Sequence, residues 1–312
     1  MFHVACAADE GYIPHCAAML NSLLAHNSEI VVHFLHGPSM DKTLIAQLKQ
    51  MVSVENALFQ SHEMADECLV GLPRLRNIPT LMWYRVYLPE LLPDIDRILY
   101  VDADTLIMRE LSELRSMDLA GCYVAAVENV FEKTLVNWPA QLGLPQAAGY
   151  FNSGVLLLNL EAMRIDNVCE KILEVGRASP VRLKWPDQDA LNKVLGESRI
   201  NLHPSWNCQS SLFYYPEAKE LFGSETVKEA IRNPAIVHFE GGIKPWHFLC
   251  KHPYQKAYIS HRNGTPWPVL KLDGISIGAR VLRLLPMVWI IQFLKVAYGI
   301  RGRLSRFRRR LA

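Results

Sequence analysis

The sequence lacks the motifs and segments that mark several common protein classes. No GxGxxG follows the first strand-like run and no GxxxxGK[ST] occurs, so dinucleotide-binding and P-loop proteins lose their main support. The seven cysteines are scattered, odd in number and without a CxxC pair, which favours a reducing compartment over a disulfide framework or a zinc site. The N-terminus has neither a basic region nor an apolar one after it, so we expect no secretory signal and a cytoplasmic protein.

Acidic residues are absent from the last part of the chain. Residues 275–312 contain nine Lys or Arg and no Asp or Glu, so the formal net charge of +2 divides into −7 for residues 1–274 and +9 for the remainder. Within this tail the apolar run 284–294 is shorter than the roughly 20 residues that cross a bilayer, and it contains Pro286 and Gln292. A transmembrane helix is therefore not expected.

The end of the tail has the pattern of an amphipathic helix. Ile300, Leu304, Phe307 and Leu311 recur at helical spacing, and six arginines fill most of the remaining positions. Such a helix beside an apolar segment suits an anionic membrane surface, so we expect residues 273–312 to form a helical basic tail that holds the protein peripherally on the cytoplasmic membrane. One alternative is a terminal helix docked on the body with a solvated basic end. A nucleic-acid arm is less favoured, because the body is acidic.

Apolar runs that suit strands alternate with helical patterns along most of the chain. The strand candidates are residues 2–8, 30–37, 57–61, 98–108, 122–129, 150–160 and 236–242. Ser39 is expected to cap a helix that contains Leu44 and Leu48, and another helix is expected to carry Tyr84 and Arg85. This alternation predicts an α/β fold with a Rossmann-like, mainly parallel sheet and helices on both faces.

Polar residues follow several of these strands. They are Asp9, the pair Asp102 and Asp104, the pair Glu128 and Asn129, and His238. For any one strand, the simpler explanation is that polar residues resume where a strand ends. Because ligands bind beyond the carboxyl ends of strands in such sheets, polar residues at all four strand ends together favour one shared crevice.

The stretch ILYVDADTLIM, residues 98–108, places two carboxylates inside an apolar run. Burying an ionised carboxylate without a partner costs several kcal/mol, so we expect the strand to end at Asp102 and a cation to bind Asp102 and Asp104. Oxygen ligands favour Mg²⁺ or Mn²⁺, and a nitrogen ligand from His238 would favour Mn²⁺. The alternatives are a chance Asp-x-Asp and a hydrogen-bonded core histidine. A haloacid dehalogenase-type phosphatase is disfavoured, because Thr105 comes one place too early and Leu106 occupies the required position.

The sequence resembles glycosyltransferase family 8, most closely the bacterial lipopolysaccharide galactosyltransferases that use UDP-galactose. The similarity runs from about residue 3 to about residue 250. Six motifs occur in the family's order: AADEGY (7–12), NIPTLMWYRVYLPELLP (77–93), LYVDADTLI (99–107), YFNSGVLLLNL (150–160), WPDQDALN (185–192) and HFEGGIKPWH (238–247). The resemblance implies a GT-A fold, a UDP-sugar donor, Mn²⁺ with Mg²⁺ as the alternative, and transfer with retention at the anomeric carbon.

The resemblance also implies a metal site and a diphosphate site. Asp102, Asp104 and His238 would bind the metal. Gly241 and Lys244 would contact the diphosphate, Lys244 as a point charge.

Further positions correspond to the family's donor pocket. Ala7 and Asp9 would contact the uracil and ribose, Arg85 would lie near the donor sugar and its phosphates, and Ala103 would line the donor site between the two carboxylates.

Around the sugar, the resemblance implies the following roles. Asn152 and Ser153 would border the sugar, with Gly154 allowing close backbone approach. Asp187 would hydrogen-bond the donor sugar. Gln188 would lie on the face where a nucleophile is expected, and both double displacement and front-face transfer stay open.

One position departs from the galactosyltransferases. They carry an aspartate at the end of the strand that corresponds to residues 122–129. This chain has Asn129 at that position, preceded by Glu128. Either residue could take the aspartate's place, so glucose stays open beside galactose as the transferred sugar.

The sequence thus predicts a catalytic domain over residues 1–272 and a membrane-associating tail over residues 273–312. The domain would transfer a hexose from a UDP-sugar to a saccharide acceptor, lipopolysaccharide core or another lipid-linked glycan. Residues 205–235 are expected to contribute acceptor contacts through aromatic side chains such as Trp206 and Tyr214, or else to pack in the ordinary way. The alternative function is a non-catalytic sugar-nucleotide or glycan-binding protein of the same fold.

Overall fold

A seven-stranded mixed sheet forms the centre of this computed structural model, which describes residues 1–73, 80–145, 148–179, 182–294 and 296. The strand order across the sheet is β3-β2-β1-β4-β7-β6-β8, and a second sheet has the order β5-β10-β9. The strands are β1 (Phe2–Ala7), β2 (Ile30–His36), β3 (Leu58–Glu63), β4 (Arg97–Val101), β5 (Thr105–Ile107), β6 (Val124–Glu128), β7 (Phe151–Asn159), β8 (Arg199–Asn201), β9 (Cys208–Gln209) and β10 (Ile236–His238).

Most neighbouring strands of the central sheet are parallel. Strands β3, β2, β1 and β4 run in one direction, and β6 is parallel to β8. Among the described strands of this sheet, β7 alone is antiparallel to its neighbours, β4 and β6. The predicted mainly parallel sheet is therefore confirmed, and β7 enters the site from the opposite direction to β4.

The helices cover both faces of the sheet, as predicted. They are α1 (Ile13–His26), α2 (Lys42–Val54), α3 (Leu88–Leu91), α4 (Ser112–Ser116), α5 (Trp138–Leu142), α6 (Leu160–Ile165), α7 (Val168–Ala178), α8 (Pro186–Leu195), α9 (Ser211–Tyr214), α10 (Glu217–Phe222), α11 (Ser224–Arg232), α12 (Gln255–Asn263) and α13 (Ile277–Leu282). Side chains alternate along a strand, so Val4 and Cys6 of β1 pack with α1 and α2, whereas Ala5 and Ala7 pack with α6, α7 and α8.

The run 98–108 is two strands and not one. β4 ends at Val101, where the Asp102 N–H donates to the carbonyl of Gly154 at 2.8 Å, and β5 begins at Thr105. β5 then leaves the central sheet and pairs with β10, which places His238 opposite Thr105. The expectation that the strand ends at the carboxylates is confirmed.

Three local expectations were wrong. Asp41 caps α2 in place of Ser39, since its Oδ1 accepts from Thr43 N at 2.8 Å. Tyr84 and Arg85 lie on a 3₁₀ helix, residues Thr80–Tyr87, and not on an α-helix. The last strand stops at His238 and does not continue to residue 242, and the chain bends at residues 241–242, where Gly241 has a φ of 89° that suits glycine.

Candidate active site

Asp102, Asp104 and His238 meet where β4 and β10 end. One ligand atom from each lies within 4.8 Å of the others, and His238 Nε2 is 3.5 Å from Asp104 Oδ1. His238 is buried, whereas the side chains of Asp104 and Asp102 are 12% and 25% exposed. Two carboxylates and an imidazole suit a divalent cation such as Mn²⁺, so these residues fit the predicted metal site.

Gly154 leaves room for this cluster. A Cβ at Gly154 would lie 2.3 Å from His238 Cε1 and 2.8 Å from Asp102 Oδ2, closer than real Cβ contacts allow. The close backbone approach that the sequence implied at Gly154 is therefore an approach to two of the candidate metal ligands.

Arg85 is the cationic partner of Asp102, which also accepts from Tyr100 OH at 3.0 Å. Its Nη2 donates to Asp102 Oδ1 at 2.9 Å, and its Nε lies 3.4 Å from Asp187 Oδ2. Its Nη1 donates to the carbonyl of Ser153, and its guanidinium lies 4.3 Å from the centre of the Tyr100 ring. Burial alone would lower the pKa of Arg85, but Asp102 and its neighbours raise it, so Arg85 stays charged.

Lys244 is the side-chain partner of Asp104. Its Nζ donates to Asp104 Oδ2 and, at 2.9 Å, to the carbonyl of Phe239. Burial alone would raise the pKa of Asp104, but Lys244 and His238 hold it well below its usual range. Each carboxylate of the Asp-x-Asp pair thus has its own side-chain cation.

Helix α8 brings Asp187 and Gln188 to the same place. Burial raises the pKa of Asp187 to about 6, although Arg85 acts in the opposite direction. Gln188 Oε1 accepts from Ser153 N at 2.9 Å and from Ser153 Oγ at 3.2 Å, and Gln188 Nε2 donates to Tyr150 OH at 3.3 Å. The first turn of α8 is therefore fixed to β7.

Two further residues of α8 hold it in place, and the sequence did not single them out. The Asn192 side chain makes both of the hydrogen bonds with the Phe151 backbone that a neighbouring strand would make. It accepts from the Phe151 N–H at 2.7 Å and donates to the Phe151 carbonyl at 2.9 Å. Asp189 is fully buried and accepts from Tyr150 OH and from Trp138 Nε1. The sequence contained one indication of these contacts: residues 188 and 192, which lie one helical turn apart in this buried helix, are both amides.

The structure separates Glu128 from Asn129. Glu128 Oε2 pairs with Arg199 at 2.7 Å, and its Oε1 accepts from Tyr150 N at 3.2 Å. Asn129 Oδ1 accepts from Asn152 Nδ2 at 3.0 Å. The amide, and not the carboxylate, therefore joins the residues around the metal cluster.

At the proposed nucleotide end, a cavity of about 530 Å³ lies beyond β1 and β2 and is lined by Asp9, Gly37 and Tyr84 among others. Asp9 Oδ1 also caps a short 3₁₀ helix by accepting from Tyr12 N at 3.0 Å. The side chains of Ala7 and Ala103 are packed in the core and do not line this cavity.

A second cavity, of about 660 Å³, lies beside Gly241 and is lined by Tyr214, Tyr215 and residues of the 287–294 helix among others. Trp206 does not contribute to it. That ring is 4% exposed and lies 4.8 Å from the guanidinium of Arg109, so it is ordinary packing.

Among the described residues, no helix has the length and apolarity needed to cross a membrane. Ile277, Val281 and Leu284 are 84%, 62% and 82% exposed. Trp289, Phe293 and Val296, on the next helix, are 62%, 52% and 63% exposed. Each triplet has the spacing i, i+4, i+7, so both segments present exposed apolar side chains, with Leu284 in the turn that follows α13. The amphipathic helix predicted over residues 300–311 lies outside the described residues.

The chain is similar to several known proteins. General stress protein A of Bacillus subtilis (strain 168) is 32% identical over 88% of this chain and 98% of its own length. The lipopolysaccharide 1,2-glucosyltransferase of Escherichia coli (strain K12) is 26% identical over 85% of this chain and 78% of its own length. The crystal structure of galactosyltransferase LgtC with donor and acceptor sugar analogs has a TM-score of 0.73 at 22% identity and covers 90% of this chain and 99% of that one.

The structural likeness confirms the predicted GT-A arrangement of the sheet and helices. Residues 3–250 match the family described as Glycosyl transferase family 8, which agrees closely with the range expected from the sequence. This chain therefore belongs to glycosyltransferase family 8.

Proposed function

We propose that the chain transfers galactose or glucose from a UDP-sugar to a saccharide acceptor with retention at the anomeric carbon. The observation that carries the proposal is that Asp102, Asp104 and His238 cluster with two cations, the buried Arg85 and the partly buried Lys244, at the carboxyl edge of the sheet. Both sugars have support, because a glucosyltransferase and a galactosyltransferase are among the similar proteins.

The charges of the cluster suit a diphosphate once a divalent ion is bound. The carboxylates of Asp102, Asp104 and Asp187 outnumber the cations of Arg85 and Lys244 by one, so a divalent ion changes the formal charge from −1 to +1. Mn²⁺ would be held by Asp102, Asp104 and His238 and would supply Lewis-acid stabilisation of the departing phosphate. Lys244 adds a fixed positive charge at the same place.

The contacts of Gln188 favour the front-face route. In that route the bond from the anomeric carbon to UDP breaks while the acceptor oxygen bonds on the same face, and the acceptor proton goes to the departing β-phosphate. Both lone pairs of Gln188 Oε1 accept hydrogen bonds from Ser153. An oxygen with no free lone pair is a poor nucleophile, so Gln188 positions Ser153 and the donor sugar.

We place the acceptor in the 660 Å³ cavity beside Gly241. Tyr214 and Tyr215 line it and offer aromatic faces on which sugar rings stack. An acceptor carried on a lipid, such as lipopolysaccharide core, would reach this cavity from a membrane surface.

Membrane contact is the proposed role of residues 273–312, with catalysis in residues 1–272. The exposed apolar faces at 277–284 and 289–296 support this role, as does the excess of nine cationic residues from position 275 onward. Basic segments bind the anionic surface of the cytoplasmic membrane, and tryptophan favours the interface.

The test is UDP release from UDP-galactose, UDP-glucose and their N-acetyl forms, each with Mn²⁺. We expect turnover with one of the two unmodified hexoses and little with the N-acetyl forms. Binding of UDP without turnover of any donor, in the presence of lipopolysaccharide fractions, would support the sugar-nucleotide-binding alternative instead.

A further inference from the structure

We propose that Asn207 positions His238, so that His238 presents Nε2 to the divalent ion, and that Asn152 ties this pair to Asn129. The inference rests on the proposed function, in which His238 is a metal ligand. It concerns a residue that lies far from the metal ligands in sequence.

Asn207 and His238 are neighbours because two short strands pair. β9 is parallel to β10, with Cys208 opposite Val237 and Gln209 opposite His238. Asn207 directly precedes β9, and its Oδ1 lies 3.0 Å from His238 Nδ1. Asn207 is fully buried, so solvent does not compete for this contact.

A backbone group fixes the direction of the hydrogen bonds. The Gly154 N–H can only donate, and its acceptor is Asn152 Oδ1 at 3.0 Å. The same Oδ1 lies 2.9 Å from Asn207 Nδ2, so Asn207 donates to it. Asn152 Nδ2 in turn donates to Asn129 Oδ1 at 3.0 Å.

This direction determines the tautomer of His238. Since Asn207 donates through Nδ2 to Asn152, its Oδ1 faces the imidazole and accepts the proton on Nδ1. Neutral His238 therefore has its lone pair on Nε2, the atom 3.5 Å from Asp104 Oδ1. Nε2 is therefore the ring nitrogen that faces the metal cluster and would bind the ion.

The backbone of β7 also lies against this edge of the ring. A Cβ at Gly154 would lie 2.3 Å from His238 Cε1 and 2.9 Å from His238 Nδ1, so the ring has no room to move toward β7. Ser210 N and Ser210 Oγ contact only the backbone carbonyl of His238 and do not orient its ring. Among the described residues, Asn207 is therefore the polar side chain that orients His238 from outside the metal cluster.

The test measures Mn²⁺ binding to the full chain with UDP present, from the electron paramagnetic resonance signal of free Mn²⁺. In Asn207→Ala, Nδ1–H has no acceptor, and we expect the Mn²⁺ dissociation constant to rise by about 10–100-fold. Asn207→Asp keeps an acceptor for Nδ1–H but loses the donor to Asn152 Oδ1, so we expect it to bind Mn²⁺ more tightly than Asn207→Ala.

Asn159→Ala is the matched control. Asn159 caps α6 by accepting from Ala162 N at 3.1 Å, at the far end of β7, so its loss weakens the fold and leaves Mn²⁺ affinity unchanged. Nitrogen-15 NMR of the metal-free protein provides a readout without metal, and we expect the proton of neutral His238 on Nδ1.

Three results would overturn the inference: wild-type Mn²⁺ affinity in folded Asn207→Ala, a loss in Asn207→Asp as large as that in Asn207→Ala, or a proton on Nε2 of neutral His238. If Asn207→Ala does not fold, the NMR result decides. A wild-type chain that binds UDP but no Mn²⁺ overturns the proposed metal site as well, which separates the two failures.

Discussion

Arg85 donates from Nη2 to Asp102 Oδ1 at 2.9 Å, and its side chain is only 6% exposed. The first carboxylate of the Asp-x-Asp pair is therefore neutralised before any metal binds. The same guanidinium reaches Asp187 and the carbonyl of Ser153, so one cation connects β4, β7 and α8. Arg85 holds the metal site and the proposed sugar site in a fixed relation.

Arg85→Lys should damage both stability and activity. An ammonium is a compact charge and cannot keep the fork of contacts to Asp102, Asp187 and Ser153. Removing the partner of a buried carboxylate altogether lowers the free energy of unfolding by roughly 3–5 kcal/mol. Arg85→Lys keeps a positive charge, so we expect it to lower the free energy of unfolding by part of this amount. Urea unfolding and UDP release measure the two effects. Lys228→Ala removes the exposed ion pair with Glu225 and is the control. It should change the free energy of unfolding by about 0–1 kcal/mol.

Gly154→Ala should abolish Mn²⁺ binding while the chain stays folded. The added methyl would lie 2.3 Å from His238 Cε1 and 2.8 Å from Asp102 Oδ2, so one of these side chains must move. Titration calorimetry with Mn²⁺ and UDP checks the result. Gly278→Ala is the control, because nothing lies within 4 Å of its Cβ position. Equal Mn²⁺ affinity in both variants would show that the cluster does not bind the metal.

Gln188→Ala should lower turnover by about 10–100-fold, since it removes hydrogen bonds worth roughly 1–3 kcal/mol around Ser153. Loss of a true nucleophile costs far more, on the order of 10⁴–10⁶-fold. Single-turnover UDP release measures the loss, and mass spectrometry of the quenched wild-type enzyme should find no sugar on Gln188. A glycosylated Gln188 would contradict the front-face route.

Acid should destabilise the fold through a stack of three histidines. The rings of His3, His33 and His62 stack across β1, β2 and β3 with centroids 5.2 and 5.3 Å apart, and burial lowers the pKa of His33 to about 3. Below pH 6.5 the unfolded chain binds protons that the native chain excludes, so the free energy of unfolding falls as pH drops from 6.5 toward 3. Each such group contributes up to about 1.4 kcal/mol per pH unit.

Urea unfolding at several pH values between 7.5 and 4.5 tests this expectation for His33→Gln. The variant should be less stable at pH 7.5, because it disturbs a buried stack, and its stability should fall less steeply with acid. Curves that stay parallel to those of wild type would show that His33 is not protonated on unfolding.

Trp289→Ser with Phe293→Ser should weaken sedimentation with vesicles that contain anionic lipid, because both side chains lie on an exposed apolar face. Val136→Ser with Leu221→Ser removes exposed apolar side chains from the catalytic domain and serves as the control. Equal loss in both double variants, or no loss in either, would argue against a membrane contact at this face.

The metal cluster could be predicted from sequence because strand ends converge in an open α/β sheet. Asp102, Asp104 and His238 each follow an apolar run, and the strand-end rule brings them together across more than a hundred residues. The role of Arg85 was predicted from the family motif. Its contacts depend on a 3₁₀ helix that the apolar pattern did not reveal.

Asn207 could not be predicted in the same way. Its role depends on β9, a strand of two residues, which is too short to show any periodicity. Asp189 likewise looks like a solvent-facing carboxylate in a helix, and only the packing of Trp138 and Tyr150 around it reveals a buried hydrogen-bond acceptor. Short strands and buried polar networks are set by tertiary contacts.

The proposed metal site is tested most directly by comparing wild type with Asp102→Asn in UDP release from UDP-galactose and UDP-glucose, with Mn²⁺ and with EDTA. We expect turnover by wild type only with Mn²⁺, and none by the variant, since an amide replaces the carboxylate that Arg85 and the metal share. Wild-type rates in Asp102→Asn, or equal turnover in EDTA, would contradict the proposed metal site.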